Sequence, residues 1–107
     1  MLEDKQLREQ MDELAGAMLA LGDEDEARRF FEDLLTVGEV QAISQRLAVA
    51  RQLRRGVTYQ EIAERTGAST ATISRVNRAL LYGAGGYRTV LERLDGAQKD
   101  ESKEERP

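Results

Sequence analysis

The stretch Gly67-Ala68-Ser69-Thr70-Ala71-Thr72-Ile73-Ser74-Arg75-Val76-Asn77-Arg78 sets short hydroxyls and two guanidinium groups along one segment. Ser69, Thr70 and Ser74 each offer a donor and acceptors, while Arg75 and Arg78 add permanently charged forks of donors. Such a set suits recognition of polar edges and anionic oxygens, as on the bases and phosphates of duplex DNA. It does not suit bond-breaking chemistry. The chain has no His and no Cys, which removes imidazole bases, thiol nucleophiles, disulfides and the common zinc sets. The many Asp and Glu residues fall at spacings that solvated helix faces explain, and no convergent carboxylate, Lys, Ser or Tyr set stands out. The expectation is a non-enzyme without cofactor or metal.

A reading helix has to be held by a second helix. Two short helices crossing steeply need a small residue where they touch, a Gly where the backbone turns, and apolar groups that lock them. Ala63, Gly67 and Ile73 meet those needs, and Ile62, Ala68 and Val76 fill the other inward positions in the same register. Elimination leaves Ser69, Thr70, Ala71, Ser74, Arg75 and Arg78 facing outward. Small groups at 70, 71 and 74 let such a helix sit deep in a major groove, with Arg75 or Arg78 reaching a guanine or a phosphate. Thr58, Tyr59 and Gln60 stand at the N-terminus of the supporting helix, where free backbone N–H groups attract phosphate. Arg46, Arg51, Arg54 and Arg55 on the preceding helix fit either phosphate clamps or solvated charges.

The rest of the chain is expected to be helical too. Leu7, Met11, Leu14, Met18 and Leu21 form a narrow seam along a helix over 2–21. That seam packs either on the chain's own core or on a second subunit. Gly22 breaks it, and Asp23 or Asp25 caps a second helix to about Leu35. Thr36 and Glu39 form a capping box that opens a third helix through Arg55, stopped by Gly56. Thr58 and Glu61 repeat the box before a helix over 59–65. Ser69 or Thr70 caps the next helix to about Leu81. Gly83, Gly85 and Gly86 make a joint before a short helix over 87–94. The tail 96–107 is almost without apolar residues and is expected to be disordered. These elements predict an all-α protein with an N-terminal dimerisation helix over 1–22, a domain over 23–95 with its helix-turn-helix at about 58–81, and the charged tail.

The formal net charge of −4 hides a strong division. Residues 1–40 hold four basic and twelve acidic groups, whereas residues 41–93 hold nine Arg and three Glu. Local charge sets the field that a phosphate backbone meets. No apolar run approaches the ~20 residues of a membrane span and no signal-peptide pattern opens the chain, so a cytoplasmic protein is expected.

The run Phe30-Phe31-Glu32-Asp33-Leu34-Leu35-Thr36, Arg46, Leu53-Arg54-Arg55-Gly56 and Gly67 through Arg75 resembles the tryptophan repressor superfamily. The similarity covers roughly residues 27–94 and is strongest to its TrpR-related YerC/YecD-type branch. The resemblance implies an intertwined homodimer that binds a palindromic operator, with the N-terminal helices interlocked between subunits. It assigns DNA contact to Thr70, Ala71, Ser74 and Arg75. It also implies an effector pocket at Leu34, Leu35, Thr36, Arg46, Arg75, Val76 and Ala79, with 34–36 supplied by the partner. Tryptophan-binding members carry a Gly where this chain has Val76 and a Ser where it has Ala79. A branched side chain there fills the space of the ring, and an alanine cannot accept a hydrogen bond from an ammonium. The expectation is a regulator, a repressor by occupancy, whose effector is unknown and is not tryptophan. A protein-interaction module that keeps the fold without reading DNA is the alternative, as is a regulator with a different effector.

Overall fold

A computed structural model describes the backbone of residues 4–104 and the side chains of residues 4–97. Six α-helices follow one another: α1 (Asp4–Leu19), α2 (Glu24–Leu34), α3 (Val37–Arg54), α4 (Tyr59–Thr66), α5 (Thr70–Tyr82) and α6 (Gly86–Glu104). No strand occurs among the described residues, so the chain is all-α as expected. No helix among them is long and apolar enough to cross a membrane. They bring no cluster of Asp and Glu together in the manner of a metal site.

Local chemistry sets the boundaries. Asp23 caps α2 by accepting from the Glu26 N–H at 2.9 Å, which decides between Asp23 and Asp25. The box that opens α3 is complete. The Thr36 N–H donates to Glu39 Oε1 at 3.0 Å, and the Thr36 hydroxyl accepts from the Glu39 N–H at 3.1 Å. The Thr36 backbone N–H, and after it the Thr36 side chain, hold the Glu39 carboxyl below its ordinary value. A depressed carboxyl stabilises the fold fully above its unfolded value, and that contribution is lost as the pH falls through the lowered one. Thr36→Ala removes the hydroxyl partner, so the Glu39 pKa is expected to rise toward that of an ordinary glutamate. A carboxyl NMR titration checks this, and an unmoved Glu39 would contradict it.

Contacts divide the chain into one unit through Val40 and a second from Gln41. This contact division falls after the expected limit of the N-terminal helix at residue 22 and groups α2 with α1. The first unit has no buried residue among those described; Leu7, Met11, Leu14 and Met18 are 45%, 57%, 49% and 38% exposed. The second unit owns the core. Val49, Ala50, Ile62, Ala68, Ile73, Val76 and Leu91 are buried, with Leu47, Leu53, Val57, Ala63 and Tyr87 packed against them.

The tail also departs from expectation. α6 begins at Gly86 and runs on through Gly96 to Glu104, so 96–104 is helical and only 105–107 of the expected tail lies outside the described residues. Low hydrophobicity forbids a core, but it does not forbid a helix. Ala97, Gln98, Lys99, Glu101, Lys103 and Glu104 all have good helix propensity, and one Gly costs only ~1 kcal/mol relative to Ala.

Candidate nucleic-acid interface

The turn between α4 and α5 is built by two caps in tandem. Gly67 ends α4 in the left-handed region, with φ 73°, and its N–H donates to Ala63 O. That conformation costs any residue with a Cβ, which is why glycine stands here. Thr66 reinforces the turn, its hydroxyl donating to Ile62 O at 2.7 Å and accepting from the Ala68 N–H at 3.1 Å. Ser69 then opens α5, accepting from the Thr72 N–H at 3.1 Å and donating to Thr72 Oγ1 at 3.0 Å. Beneath the turn Ile62 and Ile73 are fully buried and Ala68 is 4% exposed. The inward register read from the sequence is the one the packing uses.

The outward set is exposed throughout: Ser69, Thr70, Ala71, Ser74, Arg75 and Arg78 on α5, with Thr58 and Gln60 at the start of α4. Their duties differ. Ser69 and Thr58 are caps, Thr58 accepting from the Glu61 N–H at 3.3 Å, so these two hydroxyls hold helices in place. Thr70, Ala71 and Ser74 leave small groups along one side of α5. Arg75 and Arg78 enter no ion pair among the described residues, which leaves both guanidinium groups available to an anion. The second capping box is half formed. Glu61 pairs with Arg65 at 3.9 Å instead of reaching back to the Thr58 N–H.

Two of the candidate clamps on α3 are corrected. Arg54 reaches α6, with Asp95 at 3.8 Å and Glu92 at 4.0 Å, so its charge is partly neutralised within the fold. Arg51 is half-buried, and its buried Nε has no partner. Arg46 and Arg55 stay exposed.

Within the second unit, the residues expected to form an effector pocket line two different clefts. Arg46, Arg75 and Val76 line a cleft of about 240 Å³ with Ala42, Gln45 and Thr72. Val76 is only 2% exposed and belongs to the core. Ala79 lines a different, apolar groove of about 480 Å³ with Leu47, Tyr87, Val90 and residues 83–86. Gly83 shapes that groove, because a Cβ on it would run into the Ala79 carbonyl oxygen. Leu34 and Thr36 lie in the first unit and are exposed. Sequence reading missed Ala42, Gln45 and Thr72. The signal was present, since 42 with 45 or 46, and 72 with 75 or 76, are three and four apart and share helix faces.

Comparison with known proteins adds a second line. Residues 9–95 match the family described as Trp repressor protein. The chain is 48% identical over 99 residues to the Bacillus subtilis (strain 168) protein YerC, covering 92% of this chain and 95% of that one. It is similar to the crystal structure of a TrpR like protein from Eubacterium eligens, with 53% identity and a TM-score of 0.79. That match covers 87% of this chain and 96% of the other. A solved structure from Staphylococcus aureus also has a TM-score of 0.79, at 45% identity over 89% of this chain and 96% of its own.

Proposed function

The chain belongs to the Trp repressor family, and from that premise we propose that it is a sequence-specific DNA-binding transcriptional regulator. It acts as a homodimer on a palindromic operator, repressing by occupancy. The observation that carries this reading is the face of α5. A capped, core-anchored helix presents Thr70, Ala71, Ser74, Arg75 and Arg78 to solvent, with both arginines outside any ion pair described. Small residues permit close approach to base edges, and free guanidinium groups supply guanine or phosphate contacts.

The dimer is supported by what the first unit lacks. A helix pair with no buried residue and an exposed Leu7/Met11/Leu14/Met18 seam gains little from folding alone. A second copy offers the missing partner surface. Replacing Leu7 and Leu14 with Glu is expected to yield monomers in sedimentation equilibrium and to weaken binding to a two-fold site, while leaving the second unit folded. A variant of wild-type mass would exclude this seam from the interface.

Val76 supports a further part of the reading. Buried in the core at the wall of the arginine cleft, it occupies room that a bound indole needs, so the regulator does not respond to tryptophan. Selection of bound duplexes from a random pool tests the whole proposal. A two-fold-symmetric consensus, with affinity that falls steeply with salt, is the expected outcome. If no sequence is enriched at low salt, the fold serves protein interaction instead.

A further inference from the structure

We propose that Gln45 is a positioning residue that latches the helix-turn-helix to α3; its effect on DNA, but not the latch itself, rests on the reading of α5 as a DNA-binding helix. Thr66 is the last residue of α4, and carbonyls in the final turn of a helix have no partner within it. The Gln45 amide donates from Nε2 to Thr66 O at 3.2 Å, in a part-buried setting and across 21 residues of sequence. Every other side-chain hydrogen bond among the described residues joins positions at most four apart. The rest of the polar order in the turn is therefore local, and Gln45 is the side chain that ties this order to another helix.

The tie is placed where it matters. Thr66 also knots the turn through its hydroxyl, to Ile62 O and from the Ala68 N–H, and α5 begins four residues later. The apolar core fixes the depth of α5 through Ile73 and Val76, but apolar packing is non-directional. A directional bond at the end of α4 fixes the rotation of the turn about that core. Gln45 is also a wall of the cleft it shares with Arg46 and Arg75. Whatever occupies that cleft meets the side chain that holds the turn.

Gln45→Met keeps the length of the side chain without a donor, and Gln45→Glu keeps its shape with acceptors only. Both are expected to speed amide hydrogen exchange at Gly67 and Ala68 by about tenfold in the DNA-free protein. Exchange at the core amides of Val49 and Leu91 stays at the wild-type rate. Gln45→Lys restores a donor and is expected to recover the protection. In the same variants, affinity for the selected duplex falls while affinity for random duplex stays within about twofold. Unchanged exchange at Gly67 and Ala68 in Gln45→Met, or a uniform increase across the core, overturns the latch. Because exchange is read without DNA, it judges the latch even if the wild-type protein enriches no sequence.

Discussion

Ile73→Ala is expected to lower the unfolding free energy by about 2–5 kcal/mol, a large share of what holds a domain of this size. Ile73 is fully buried in a core that holds seven buried residues among those described, so few neighbours are available to collapse into the space it leaves. Its N–H bonds to Ser69 O at the first turn of α5, so loss of its side chain also loosens the cap that begins the reading helix. Urea or thermal unfolding followed by circular dichroism gives the number. A loss below about 1 kcal/mol would mean that the site relaxes, and that Ile73 is not the anchor its burial indicates. Leu81→Ala is the matching control, because Leu81 is 56% exposed on the same helix and loses little packing in the isolated chain.

Arg75→Ala is the second large effect, and it falls on function. An arginine pairing with a base edge in two bonds contributes about 1–3 kcal/mol of discrimination, so affinity for the selected duplex is expected to drop by about 5- to 150-fold. Stability should hardly move, because Arg75 is exposed and enters no ion pair among the described residues. Random duplex should be bound about as before, apart from the loss of one charge from each subunit of the dimer. If both duplexes weaken equally, Arg75 touches phosphate and specificity lies with Thr70, Ala71 or Ser74. If neither weakens, α5 does not read DNA through this residue.

The helix-turn-helix was legible because its signals are short-range. Caps at Asp23, Thr36, Thr58 and Ser69 act within three residues, Gly67 acts on its own backbone, and Ile62, Ala68 and Ile73 are set by helical period. Each of these can be read from a window of a dozen letters. What escaped depends on distance along the chain. Arg54 reads as a free cation until α6 brings Asp95 and Glu92 beside it. Gln45 reads as a surface amide until Thr66 arrives from 21 residues away. The tail departs for another reason: a lack of apolar residues forbids a core, while local propensity still permits a helix over 96–104. The grouping of α2 with α1 is of the same long-range kind, because Phe30 and Leu34 show apolar character without showing what they face.

The boundary between Val40 and Gln41 divides contacts, and it falls where the charge changes sign. From Gln41 to the end the sequence holds twelve basic and eight acidic residues, against four and twelve before it. An anionic chain therefore contains a cationic part that begins at a structural seam. Cutting the polypeptide there would reverse the sign of the fragment that keeps α4 and α5. The intact protein would be retained by an anion exchanger and that fragment by a cation exchanger, so what the DNA meets and what a column or an electrophoretic field meets are two differently charged objects.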